Sequence, residues 1–271
     1  NFISLGNLTA IYKGSSIPFS VQIDDCDGAP YYNNGTAIWI DYNHNGVFTD
    51  PGEQVYVSAA LSFSPSILNG SFVVPLTASL GNTVIRITTA EGLSGAGLLP
   101  CMSYGFGETE DYLIDIQPPL INANLNLQCL IEAYWETSMM RPVLSNQLQP
   151  AASNTCDSIE VELRHPFTFA IVASTKTTLS LSGNANCLFN NISSGNYYIA
   201  VKHRNTIETW SALPVSITTN CNYNFTSAAN KAYGNNQVEV ASGVWAFYSG
   251  DVIKNMSESI DLIDLAALET D

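Results

Sequence analysis

Short runs rich in Val, Ile, Thr, Tyr and Phe, broken at close intervals by Gly, Asn, Pro or Ser, occupy most of the chain and limit it to an all-β fold. In Ser158 to Arg164, Ile159, Val161 and Leu163 fall on one face while Glu160, Glu162 and Arg164 fall on the other, as a half-buried strand requires. Ala37 to Asp41, Thr83 to Thr88, Tyr197 to Lys202 and Val244 to Tyr248 read the same way. With 271 residues and 46% hydrophobic side chains the chain has material for two cores, and disorder is excluded. The architecture these strands imply is a pair of tandem antiparallel β-sandwiches.

The break between them falls at Gln117-Pro118-Pro119, because two prolines stop a central strand from continuing. The expected units are therefore residues 1–117, 118–249 and a terminal segment 250–271. In that segment Ile260, Ile263, Leu265 and Leu268 recur near helical spacing, with Leu262 beside them, and predict a short C-terminal helix.

Only 12% of residues are charged, so the surface is made polar by uncharged clusters such as Tyr31-Tyr32-Asn33-Asn34-Gly35-Thr36. Nine basic against 24 acidic residues give a net charge of −15, which repels nucleic acid and anionic lipid and favours divalent cations as charged ligands. No apolar run is long enough for a membrane span. The start at Asn1, without an initiator Met, reads as a mature or excised segment of a secreted precursor. Six cysteines without zinc-type spacing fit disulfides in an oxidising compartment; spacing suggests Cys26 with Cys101, Cys129 with Cys156, and Cys187 with Cys221, one of the 15 pairings that six cysteines allow and among which sequence does not choose.

The sharpest constellation is Asp41-Tyr42-Asn43-His44-Asn45-Gly46-Val47-Phe48-Thr49-Asp50-Pro51-Gly52-Glu53. Oxygen side chains at the first, third and fifth places, Gly at the sixth and a carbonyl at Val47 match the start of a calcium loop, with Asp50 or Glu53 to complete it. The missing twelfth-place Glu and the strand-like Ile38-Trp39-Ile40 exclude an EF-hand, and Asn45-Gly46 also fits a plain polar hairpin turn. At Gly107-Glu108-Thr109-Glu110-Asp111-Tyr112 three carboxylates crowd together, which calls for a cation or for hydrogen-bond donors.

This Gly-Glu-Thr-Glu-Asp run, with Trp39-Ile40-Asp41-Tyr42-Asn43, Gly52-Glu53 and Pro100-Cys101 before it, resembles the GEVED domain of secreted bacterial proteins. The resemblance covers most of residues 1–117 and implies a β-sandwich accessory domain of exported proteins, chiefly from Bacteroidetes, without catalytic residues. Glu110 or Asp111 would then either complete a calcium shell or bond turn amides.

The second region is similar to a β-sandwich module found near the C-terminal ends of secreted Bacteroidetes proteins. The likeness rests on Leu130-Ile131-Glu132-Ala133-Tyr134-Trp135, Cys156-Asp157-Ser158-Ile159-Glu160-Val161-Glu162-Leu163, Gly195 to Asn205, Glu208-Thr209-Trp210-Ser211 and Ala232-Tyr233-Gly234-Asn235-Asn236. The segment from Ser249-Gly250-Asp251-Val252 to Ile260-Asp261-Leu262-Ile263-Asp264-Leu265 looks like the first half of a dockerin, although Lys254 to Ser259 replaces its Asp-x-Asp-Gly core. Asp251, Asn255, Asp261 and Asp264 are its candidate ligands; alternatively Asp261 caps the helix.

His203, Arg204, Asn205, Glu208 and Trp210 read either as a polar recognition patch or as an exposed strand end beside a core Trp. The three histidines, His44, His165 and His203, fit no HExxH or Ser/His/Asp order, and Gly92-Leu93-Ser94-Gly95 misses nucleophile-elbow spacing. The expected function is a non-catalytic structural or adhesive module of a larger exported protein, extracellular or on the cell surface, stiffened by calcium and disulfides. Its partners would be the other domains of that protein. A carbohydrate-binding module using Tyr31, Tyr32, Trp135 or Trp210 is one alternative; a partner of the type IX secretion machinery, implied by the family resemblance, is the other.

Overall fold

A computed structural model describes residues 9–24, 30, 32–253 and 260–269. It is all-β, with a short C-terminal helix. The chain divides into two units, Asn1–Leu120 and Ile121–Asp271.

The first unit holds β1 (Thr9–Tyr12), β2 (Ser16–Ile23), β3 (Asn33–Ile40), β4 (Gln54–Val57), β5 (Ser62–Phe63), β6 (Ser66–Val73), β7 (Gly81–Glu91) and β8 (Gly107–Gln117). Its main sheet runs β1-β8-β7-β3-β4, with β5 pairing the start of β3, and β2 and β6 form a separate antiparallel ribbon. Strand β1 runs parallel to β8, from Thr9 opposite Ile114 to Tyr12 opposite Gln117, so the sheet is mixed rather than wholly antiparallel.

Inward residues of the ribbon, Ile17, Phe19 and Phe72, pack with Ile40, Ile114 and Ile116 of the sheet. On the sheet's other face Ala37, Trp39 and Phe48 are covered by Leu93, Leu98, Met102 and Tyr104. Because both faces of β3 are covered, every residue from Asn34 to Ile40 is buried, and the Ala37-Ile38-Trp39-Ile40 run is apolar throughout.

The second unit is formed by β9 (Leu120–Gln128), β10 (Thr155–Arg164), β11 (Ile171–Ser180), β12 (Asn184–Ser193), β13 (Gly195–Lys202), β14 (Thr209–Trp210), β15 (Val215–Ile217), β16 (Asn220–Asn224), β17 (Val238–Ala241) and β18 (Val244–Ala246), with helical turns α1 (Val143–Asn146) and α2 (Leu262–Glu269). One sheet has the order β11-β10-β13-β14, with β15 also on β13; a second runs β12-β9-β16, with β16 parallel to β9; β17 and β18 pair alone. Ile159, Val161 and Leu163 of β10 enter the core beside Leu125, Leu127, Ile199 and Val201, as the alternation predicts. Phe225 and Phe247 close it with their rings edge to face, 5.0 Å apart.

One expectation needs correction. No disulfide joins the described residues: Cys101, Cys129, Cys156, Cys187 and Cys221 are free thiols, and Cys26 lies outside the described residues. For Cys187 and Cys221 the reason is topological. They sit on β12 and β16 with β9 between them, Cys221 opposite Leu125. Two strand spacings of about 4.8 Å exceed the roughly 4.4–6.8 Å that a disulfide spans between Cα atoms. Burial pushes the thiols of Cys156 and Cys187 up to about 12, so they stay protonated.

The expected C-terminal helix forms as α2. Its apolar residues Leu262, Ile263 and Leu265, with Ile260 before them, are exposed, while Asp264 is buried.

Candidate functional site

Strand β3 ends at Ile40, whose N–H donates to the Glu53 carbonyl (2.9 Å), while Asp41 N–H donates to Val84 O (3.2 Å). These bonds make a neck, and residues 41–53 loop out between them. Asp41 is buried at the neck: Oδ1 accepts from Asn45 N–H (3.1 Å) and Oδ2 from Gly46 N–H (2.9 Å). Asn43 Oδ1 accepts from Asn45 N–H (3.0 Å) and Asn45 Oδ1 from Val47 N–H (2.8 Å), so successive side chains turn the backbone around one centre. Gly46, at φ 80°, supplies the left-handed step. From the far side Asp50 Oδ2 accepts from both Asn43 Nδ2 and Asn45 Nδ2 (2.7 Å each), and these bonds hold its carboxyl below its ordinary pKa.

Glu53 behaves differently. It is 2% exposed; Oε1 accepts from Tyr42 N–H (3.0 Å), and Oε2 is buried with no hydrogen-bond partner. Burial raises its pKa, backbone bonds from Asn43 and Tyr42 offset part of this, and the charges of Asp41 and Asp50 raise it further. Carboxylates at Asp41, Asp50 and Glu53 thus share one loop with the amide side chains of Asn43 and Asn45. That is the hard-oxygen donor chemistry calcium takes, and an orphaned buried carboxylate oxygen fits it. Among the described residues no three His, Cys, Asp or Glu side chains form a metal centre by themselves, so a cation here would draw on amide and carbonyl oxygens as well.

The second acidic motif has another use. On β8, Glu108 and Glu110 face one side of the sheet and Thr109 and Asp111 the other. Asp111 takes both ends of Arg86: Nε to Oδ1 at 2.7 Å and Nη2 to Oδ2 at 2.6 Å. The same guanidinium donates from Nη1 to Pro100 O (2.9 Å) and lies over the Phe48 ring, 4.7 Å from its centroid. Thr109 Oγ1 meets Thr88 Oγ1 (3.0 Å) and the Tyr104 hydroxyl (2.6 Å), while Glu110 accepts from the Tyr112 hydroxyl. Gly107 is required at the start of the motif: at φ 142° a Cβ would lie 2.3 Å from Thr89 O.

Asp111 is therefore the base of a clamp that reaches the candidate loop through Arg86 and Phe48, and Glu110 is engaged on the opposite face. Arg86 went unnoticed in the sequence, though residues 1–120 contain only Lys13 and Arg86 as basic partners for their acids.

In the terminal segment, Asp264 is fully buried and accepts from Val252 and Ile253 N–H with Oδ1 and from Asp261 N–H with Oδ2, all at 2.9 Å. Asp261 Oδ1 accepts from Ile263 N–H (2.8 Å), the capping arrangement expected of it. Asp251 is buried beside Val252, and Asn255 lies outside the described residues.

The polar patch of the second unit divides. His203 is buried, with Nδ1 accepting from Asn205 N–H (3.1 Å), so Nε2 carries the proton that it shares with Asp157 Oδ2 at 3.1 Å. Arg204 donates to the same oxygen from Nε (3.0 Å) and Nη2 (2.8 Å). Burial alone would raise Asp157, but these bonds pull it down to about 2. His203 is thus interior, whereas Glu208 and Trp210 lie on the outer face of the sheet, Trp210 Nε1 donating to Glu208 Oε1.

Residues 35–115 match the GEVED domain. No curated protein sequence matches the chain. Among solved structures, CBD12 from CALX1.2 aligns over 73% of this chain and 78% of its own, at 8% identity and a TM-score of 0.26. The T6 backbone pilin of serotype M6 Streptococcus pyogenes aligns over 94% and 59%, at 12% and 0.23. The Bacillus anthracis TIE protein aligns over 77% and 39%, at 11% and 0.25. Scores this low carry no argument about function.

Proposed function

We propose that the chain is a non-catalytic β-sandwich segment of a larger exported protein, displayed outside the cell as a structural or adhesive module, and that its first unit is locked by one calcium ion. The GEVED match over residues 35–115, the low charge content and the uncharged polar surface support an exported accessory role. The observation that carries the calcium reading is the partnerless buried Oε2 of Glu53 in a loop already holding Asp41 and Asp50. Asp41, Asn43, Asn45, the Val47 carbonyl, Asp50 and Glu53 would hold the ion. When bound, it would neutralise repulsion among three carboxylates and fix the loop against Phe48 and the Arg86 clamp. A second ion would draw on Asp251, Asp261 and Asp264, with Asn255 outside the described residues; Asp264, like Asp41, already accepts backbone N–H bonds.

Extracellular calcium modules bind with dissociation constants of roughly 0.1–1 mM, so about 1 mM calcium should add on the order of 0.4–1.4 kcal/mol. The melting temperature of the full chain should then rise by a few degrees between chelator and calcium. Asp41→Ala should abolish that rise. A calcium-dependent shift that survives the substitution unchanged places any ion elsewhere.

A further inference from the structure

On the outer face of the β10–β13–β14 sheet four aromatic rings form a continuous stepped patch. Phe169 lies 6.0 Å from Trp210 and 6.0 Å from Tyr198; Tyr198 lies 5.7 Å from Trp210 and 6.5 Å from Tyr233. Phe169 is 51% and Tyr233 64% exposed, so a ligand can reach the patch from solvent. Phe169 is held in the hairpin loop between β10 and β11. Phe169 has φ 59°, a left-handed conformation unfavourable for a bulky side chain. The turn keeps it there through Phe169 N–H to His165 O (2.9 Å), His165 N–H to Ala170 O (2.9 Å) and Arg164 Nη1 to Phe169 O (3.2 Å).

Beside the rings lies a charge-balanced net. Arg164 sits over Trp210, 5.2 Å from the ring centroid, and pairs with Glu162; Lys202 Nζ pairs with Glu162 at 3.1 Å and with Glu208 at 3.2 Å. Two cations and two carboxylates leave no net charge; Glu162 is buried beneath, so Lys202, Arg164 and Glu208 are the groups with edges left to solvent. A charged ligand would have to break these pairs, and a polyanion would also meet the −15 charge of the chain. A wholly apolar ligand would leave the net unused. A pyranose ring has the matching chemistry: an apolar C–H face to lie on aromatic rings and hydroxyls at its rim that both donate and accept. We infer that this face is a binding site for a neutral glycan.

Affinity electrophoresis of the full chain through gels containing β-glucan, xylan or mannan, with alginate as the anionic control, tests this. At least one neutral polysaccharide should retard the protein. Tyr233→Ala should weaken the retardation about tenfold without lowering the melting temperature, because it removes one exposed ring. Phe169→Gly should weaken it too while keeping the turn, since glycine accepts this φ freely. Leu188→Ala, on the outer face of the other sheet, should leave it unchanged. The inference is overturned by no retardation in any neutral gel, by retardation in alginate alone, by undiminished binding in both ring variants, or by competition showing that the face prefers a proline-rich peptide.

Discussion

Glu53 in the first unit and Asp157 in the second are both carboxylates shut away from water, 2% and 1% exposed, and they titrate in opposite directions. Asp157 has His203 and Arg204 against it and a pKa near 2; Glu53 has an oxygen with no partner and two further acids close by, and its pKa rises. The second unit supplies its own cations. The first, with only Lys13 and Arg86, commits its one arginine to Asp111; amide N–H groups serve Asp41 and Asp50, and no cationic side chain pairs with Glu53. Buried charge is costly in either unit, and in the first the proposed ion would be what offsets it.

The largest expected effect comes from breaking the compensated site. Asp157→Ala leaves His203 buried without its acceptor and Arg204 without its carboxylate, and should cost about 3 kcal/mol, read as a lower urea midpoint at unchanged slope. A loss below about 1 kcal/mol would mean that the trio contributes little, and the contrast with Glu53 would fail. The same group predicts an acid limb. Its folded pKa is depressed from 3.8 to about 2, so its stabilisation is present above the unfolded value and lost as pH falls from about 4 towards 2. That limb should amount to roughly 2 kcal/mol and be missing in Asp157→Asn.

The next effect sharpens the view of Arg86 as a fully committed cation. Asp111→Asn replaces a bidentate pair, each side chain about 20% exposed, by a neutral contact and should cost about 1–2 kcal/mol. The loss should be equal in calcium and in chelator, because Asp111 serves the clamp and not the ion. A loss seen only in calcium would move Asp111 into the ion's shell and redraw the site.

The fold class was legible because alternation is local: Ile159, Val161 and Leu163 announce one face of β10 within seven residues. The loop oxygens from Asp41 to Glu53 were legible for the same reason. Pairings set by distant register were not. Nothing near Thr9 or Asn220 signals the parallel partners Ile114 and Asn124, and nothing near Asp111 signals Arg86, 25 residues away and directly opposite in the sheet. The cysteines misled because sequence spacing carries no strand order, and β9 stands between Cys187 and Cys221. His203 looked like a strand-end cation, yet its proton is bound into the interior by Asp157.

The smallest effect is the most specific to the uncompensated site. With a raised folded pKa, Glu53 stabilises the chelated protein in its protonated form, below the ordinary carboxylate range, and that contribution is lost as pH rises through the raised value. Calcium takes the ionised form, so its contribution has the opposite slope. The difference in melting temperature between calcium and chelator should therefore grow as pH rises from the ordinary carboxylate range through the raised value, reaching a few degrees at most. Glu53→Gln has no proton to exchange in this range and should flatten the dependence, while raising stability in chelator at neutral pH by removing a buried charge. A calcium shift of the same size below and above the raised value, in wild type and variant alike, would show that the ion does not use Glu53, and the partnerless oxygen would need another explanation.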